Sequence, residues 1–300
     1  MLERGYTMHH AISQDKQGNI LATVSKTSAK IANGKDVRIN DFIIRMDPEK
    51  GEILQEWDLV HMLDSARYGM TDYNLTADPY AQNASNWAHN NGIVEWGNNY
   101  LATARYQGIF KFNKAGGIEW IISPHGYWRD RYLKLLLNPL HADGTPITDP
   151  DVIAGTKNCD DFEWPWGCHT AVPLPNGHIF YFNNGYGRNF KLDFTDRKNV
   201  YTCGIEYEVD EVNRTVRQVW QYGKERGTAY FTPARSGVQY LEQTGNRLIC
   251  PGMSNVLSNG NRGARVTEVD PETQEIVFEL ELEDAIYQRV YRMSLYPDNQ

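Results

Sequence analysis

Apolar, β-branched and aromatic residues fall in short runs separated by polar turns that carry Gly, Asn or Asp, the pattern of strands joined by hairpins. Four such segments align: "HAISQDKQGNILATVS" from His10, "HNNGIVEWGNNYLATA" from His89, "HTAVPLPNGHIFYFNN" from His169 and "SGVQYLEQTGNRLICPG" from Ser236. In the first three a histidine stands eight residues before the turn glycine (Gly18, Gly97, Gly177), whereas Ser236 reaches Gly245 in nine. Each segment is followed by a second hairpin. "FIIRMDPEKGEILQEWDL", "IFKFNKAGGIEWIIS", "GIEYEVDEVNRTVRQVWQYG" and "RVTEVDPETQEIVFELEL" all pair an apolar strand with a returning one about a turn near Asp47, Asn113, Asp210 or Asp270. Two hairpins make a four-stranded antiparallel sheet, the unit of a propeller blade.

The expected fold is therefore all-β, a β-propeller with about four blades at roughly 5–60, 85–123, 165–223 and 230–297. Insertions fill 61–84 and 124–164, and the second contains "YWRDRYLKLLLNPL", whose apolar spacing and closing proline predict a short amphipathic helix. A β-sandwich would share the hairpins. It would not require histidines at one repeat position with offsets of 79 and 80 residues. Because the chain opens almost on the leading strand of its first repeat, it is expected to be the carboxyl-terminal part of a longer protein with further blades and a signal peptide upstream.

Composition narrows the partners. A net charge of −8, with 38 acidic against 30 basic residues and no basic stripe, argues against nucleic acid. No run approaches the roughly 18 apolar residues of a membrane-spanning helix. The four cysteines, Cys159, Cys168, Cys203 and Cys250, form no CxxC pair, which argues against a zinc knuckle. Cys159 and Cys168 could close a short loop in an oxidising compartment or remain free thiols, and both readings stay open.

The leading strand of a blade lines the central channel, so the repeat brings His10, His89 and His169 together at one height. Three chemistries suit such a cluster: a zinc site with an open position, a nucleophilic histidine with its neighbours as acid, base or oxyanion donors, or anion binding alone. Arg105, in "LATARYQGIFKFN" after His89, and Arg188, in "NNGYGR" after His169, favour an oxyanion over a divalent cation. Arg188 reads equally well as an ordinary surface residue.

The chain resembles the bacterial arylsulfate sulfotransferases, which transfer a sulfuryl group between phenols without a nucleotide donor. "GYTMHHAISQDKQGNIL", "NWAHNNGIVEW", "ATARYQGIFKF", "WGCHTAVPLPNGHIFYFNNG", "YFTPARSGVQYL" and the ending "VYRMSLY" carry the likeness through nearly the whole length. The resemblance implies six blades in the complete protein, a periplasmic or exported location, and a ping-pong reaction through a sulfohistidine. His169 falls at the nucleophile's position. His89 and Arg105 would hold the sulfuryl oxygens, Asn91 would add a donor, and His10 would exchange the phenol proton, with the division between His10 and His89 open. Thr232 or Ser236 would supply a hydroxyl where other blades supply histidine. Trp87, Trp164, Trp166 and Tyr186 are candidate walls for planar phenols, or packing between blades. Cys168 should point away from the channel if His169 points in, since strand neighbours alternate faces.

The implied partners are an aryl sulfate donor and a phenol acceptor, with no cofactor or metal at the site; a homodimer is compatible with the reading. The rival readings are a zinc-dependent propeller hydrolase or lyase using the same histidines, and a non-catalytic propeller scaffold.

Overall fold

In the computed structural model, which describes residues 5–26, 40–67, 87–256, 261–287 and 289–291, the apolar runs of the repeat are strands. The first sheet joins β1 (Tyr6–Gln14), β2 (Ile20–Lys26), β3 (Asn40–Met46) and β4 (Ile53–Asp58), and a one-turn helix α1 (Leu59–Met62) leaves it. The second joins β5 (Asn90–Trp96), β6 (Asn99–Ala104), β7 (Gly108–Asn113) and β8 (Ile118–Ile122). A connecting segment follows with α2 (Asp130–Leu133), β9 (Asn138–Leu140) and α3 (Pro150–Ala154). The third sheet is β10 (His169–Pro173), β11 (Ile179–Asn183), β12 (Cys203–Asp210) and β13 (Thr215–Tyr222), with β9 added at its edge. The fourth is β14 (Ser236–Tyr240), β15 (Arg247–Pro251), β16 (Ser254–Val256), β17 (Arg262–Val269) and β18 (Ile276–Leu282), the last two paired with each other.

These sheets stand in a ring as a four-bladed β-propeller, and neighbouring blades meet through their first strands, β1 on β5, β5 on β10 and β10 on β14. The turns fold as their residue types require. Gly18 and Gly177 take the left-handed φ values of 84 and 86 that a side chain would strain. At the outer turns the side chains of Asp47, Asn113, Asp210 and Asp270 each accept hydrogen bonds from two backbone amides just downstream.

Aromatic rings fill the seams between blades. Trp57 of the first blade lies 4.8 Å from Tyr100 and 5.4 Å from Phe112 of the second, and its indole donates to the Lys114 carbonyl. Phe162, from the connecting segment, stacks on Tyr207 at 5.7 Å and meets Trp164 edge-on.

The expected amphipathic helix over 127–140 is only the single turn α2. Beyond it the chain extends, because Ile121 at the edge of β8 exchanges backbone hydrogen bonds with Leu135 and Leu137, and β9 then runs parallel to β13. Open sheet edges outweigh local helical spacing there, and the segment laces the outer edges of two blades together. Residues 68–84 of the first expected insertion, and Arg292–Tyr296 of "VYRMSLY", lie outside the described residues. Among the described residues no helix is long and apolar enough to cross a membrane.

Candidate active site

The channel strands bend where the histidines sit. Register shifts fall between Met8 and Ile12 in β1, between Asn90 and Gly92 in β5, and between His169 and Ala171 in β10. His10 and His89 take left-handed φ values of 54 and 53, and Thr170 one of 42. A bulge re-aims a side chain, and such backbone is held only where its surroundings over-determine it, at about 1–3 kcal/mol per residue. Three blades place a left-handed residue at the repeat histidine or directly after it.

The outcome is convergence. The Nε2 atoms of His10 and His89 are 3.0 Å apart, and the ring centres of His10 and His169 are 6.4 Å apart. His169 is buried, with Nδ1 at 2.6 Å from Asn184 Oδ1 and 3.1 Å from the Gly167 carbonyl. The orientation of that amide is fixed, since Asn184 Nδ2 donates to the Thr232 carbonyl. Two oxygens facing Nδ1 require it to carry the proton, so the lone pair of His169 is on Nε2.

Burial depresses the His169 pKa well below its ordinary value, and Arg105, His10 and Arg289 push the same way. His89 is lowered well below its usual value by burial, then by His10 and Arg105. His10 falls to about 3, through burial, His9, Arg289 and Arg105. All three imidazoles are therefore neutral near pH 7, among fixed positive charges that disfavour a further cation and favour an anion.

Arg105 follows β6 directly. Its backbone amide donates to the His89 carbonyl, Nη2 donates to the Pro233 carbonyl at 2.8 Å, and the guanidinium lies over Tyr186 at 4.6 Å. Beside it opens a pocket lined by Arg67, Tyr106, Trp166, Tyr186 and Phe190. Of the expected aromatic walls, Trp166 and Tyr186 line this pocket. Trp87 and Trp164 lie in the cores between blades, where the Trp164 indole donates to the Val152 carbonyl. Cys168 is fully buried in the same core, facing away from the channel as alternation requires, and burial pushes its thiol up to about 12.

The remaining expected residues are placed around this centre with other partners. Asn91 accepts from Thr103 and donates to the Cys168 carbonyl, tying β5 to the base of β10. The Thr232 hydroxyl donates to the Ala234 carbonyl and accepts from the Met253 amide, while its own carbonyl fixes Asn184. Ser236 Oγ reaches Asn184 Oδ1 at 3.3 Å. Arg188 forms a buried ion pair with Glu163 at 3.0 Å and stacks on Tyr201, so its charge is matched within the blade rather than offered to the histidines.

Four residues enter that the repeat did not single out. Asn184 holds the His169 tautomer. His9 Nδ1 lies 2.9 Å from His10 Nδ1, and His9 Nε2 lies 3.4 Å from Asp41, so a carboxylate and three imidazoles form a line. Arg289 comes from the far end of the chain, runs its side chain along Gly237, and donates to the Asn91 carbonyl. The doublets "HH" and "NN" beside the repeat histidine and strand were the visible signals for His9 and Asn184; Arg289 had none.

A propeller channel that gathers neutral imidazoles between guanidiniums defines a β-propeller with a site suited to an anion. Within that class, the model of the arylsulfotransferase (ASST) family matches residues 1–292, and the chain belongs to that family. It is 28% identical over 330 residues to the arylsulfate sulfotransferase AssT of Escherichia coli O6:H1 (strain CFT073), with all of this chain and 54% of the relative covered. It is likewise 28% identical over 331 residues to the arylsulfate sulfotransferase AssT of Lelliottia amnigena, again with 54% of the relative covered. The chain thus spans about half the length of these curated relatives.

Proposed function

We propose that the protein transfers a sulfuryl group from an aryl sulfate to a phenol in two steps, with His169 Nε2 as the group's carrier. The observation that carries this reading is the pinned Nδ1 of His169, which leaves a neutral, buried imidazole with its lone pair on Nε2. Such a nitrogen needs no base to activate it.

In the first step the Nε2 lone pair attacks sulfur, an N–S bond forms, and the bond from sulfur to the aryl oxygen breaks with its electron pair leaving on that oxygen. Arg105 and His89 face the sulfuryl oxygens, and Arg289 adds a second guanidinium to the same field. Trp166 and Tyr186, beside Arg105, are the aromatic faces nearest the proposed sulfuryl site, in a cleft that has to widen before a ring can lie against them. Arrival of the anionic donor raises the His10 pKa from its depressed value, so His10 can deliver a proton to the departing phenolate. His9 and His89, at 2.9 and 3.0 Å from the two ring nitrogens of His10, are the neighbours through which that proton would be exchanged. In the second step the acceptor phenol yields its proton to His10, its oxygen attacks sulfur, and the N–S bond breaks to regenerate His169.

A zinc hydrolase at the same histidines is the weaker reading, because Arg105 and Arg289 place positive charge where the ion would sit. The test is transfer from 4-nitrophenyl sulfate to phenol by the whole protein, with no nucleotide or metal added. The expected result is turnover that His169→Ala reduces by about 10³-fold or more. Full activity in that variant would remove His169 from the role.

A further inference from the structure

The segment between the second and third blades carries a group of side chains that the transfer reaction does not use. His141 opens the turn after β9, where its amide donates to the Thr145 carbonyl and its carbonyl accepts from Gly144. Eighteen residues on, the chain returns past Cys159 to Asp161. Asp161 Oδ1 lies 2.9 Å from His141 Nδ1 and 3.1 Å from Cys159 Sγ, and Oδ2 accepts from the Ala142 amide at 2.9 Å. One ligand atom from each of the three side chains lies within 4.8 Å of the others, and all three residues are half-exposed.

We infer that His141, Cys159 and Asp161 form a binding site for a zinc-like divalent ion, separate from the histidine centre in the channel. The donor set decides the class of ion. A thiolate, an imidazole and a carboxylate together suit zinc or cobalt, whereas calcium and magnesium take oxygen donors only. Tetrahedral bonds of about 2.0–2.3 Å set neighbouring ligand atoms roughly 3.3–3.7 Å apart. The two separations from Asp161, 2.9 and 3.1 Å, need a few tenths of an ångström of opening, and the third, from His141 to Cys159, lies within 4.8 Å and closes by rotation of half-exposed side chains.

The charges also close. A thiolate and a carboxylate balance the 2+ ion, the imidazole is neutral, and the exposed fourth position takes water. On binding, the Cys159 S–H bond breaks, its proton goes to solvent, and the S–metal bond forms. The backbone is already arranged for this, since the His141 turn and the Ala142–Asp161 bond hold the two strands of chain together before any ion arrives.

The structural consequence lies in the same segment. Asp161 immediately precedes Phe162, Glu163 and Trp164: the two rings belong to the core that also holds Trp166 and Cys168, and the carboxylate pairs with Arg188. An ion at this point fixes the chain just before it enters the active site. The missing CxxC pair argues against a zinc knuckle, but one cysteine beside a histidine and an aspartate serves a three-ligand site as well.

The whole protein, reduced with a non-thiol reductant and stripped with a chelator, is titrated with Zn²⁺ by calorimetry and with Co²⁺ by absorbance. The expected result is one equivalent bound, a thiolate-to-cobalt charge-transfer band, and the strong visible bands of four-coordinate cobalt. Cys159→Ala should abolish the charge-transfer band, and His141→Ala and Asp161→Ala should weaken Zn²⁺ by roughly 100-fold or more. Zn²⁺ should raise the melting temperature of the parent protein and not that of Cys159→Ala. Circular dichroism of the metal-free variants, matching the parent, shows that they fold. Absence of binding, or a cobalt spectrum that survives Cys159→Ala, overturns the site, and the latter outcome would place the ion elsewhere, including at the channel histidines.

Discussion

His169 read alone is an ordinary buried histidine, and two neighbours give it chemistry. Its register with His10 and His89 was visible in the sequence, because the repeat spacing is a local pattern. Its tautomer was not, because Asn184 acts through a hydrogen bond whose geometry depends on the third and fourth blades meeting at Thr232. Replacing Asn184 with Leu should therefore lower kcat by about 10²-fold or more while leaving KM for the aryl sulfate nearly unchanged, as expected when a nucleophile loses its fixed tautomer. Steady-state kinetics would show it. His10 makes a different prediction. If His10 is the acid for the departing phenolate, as proposed, it should matter little for 4-nitrophenyl sulfate, whose leaving group is a stable anion, and much more for unsubstituted phenyl sulfate. Rates of His10→Ala with the two donors give the comparison; equal losses would take His10 out of proton transfer.

At the scale of elements, hairpin turns and strand order were legible because Gly at left-handed positions and Asp or Asn at outer turns act within a few residues. The helix expected over 127–140 failed for the opposite reason: the edges of β8 and β13 offer backbone partners that no local spacing reveals. Arg188 shows the same limit, since only folding brings Glu163 beside it. The bulged channel strands were equally hidden, and β5 offers a test. A Cβ added at Gly92 would lie 2.3 Å from Thr103 Oγ1, the hydroxyl that donates to Asn91. Gly92→Ala should lower stability by about 1–3 kcal/mol, the usual effect of overpacking, and disturb the seam to β10. A melting temperature equal to the parent's would show that Thr103 moves aside freely.

For the whole molecule, packing three histidines, two of them buried, in a field of arginines ties stability to pH. Each has its folded pKa depressed, His10 to about 3, while the unfolded chain titrates near 6.5. Below about 6.5 the unfolded state binds more protons, so stability falls as pH drops, by about 1.4 kcal/mol per pH unit for each histidine that stays neutral, and is unaffected by them above it. Urea melts between pH 5 and 8 should show that slope, steeper in the parent than in His10→Ala. The same depression keeps His169, the proposed nucleophile, neutral at pH values where a free imidazole is protonated. The covalent step is the centre of the proposed reaction, and its direct test is mass analysis of the protein after exposure to 4-nitrophenyl sulfate with no acceptor, quenched at alkaline pH and mapped by peptide. The expected result is one added sulfuryl group on His169, discharged by phenol and absent from His169→Ala. A protein that turns over donor and acceptor while His169 stays unmodified would contradict it.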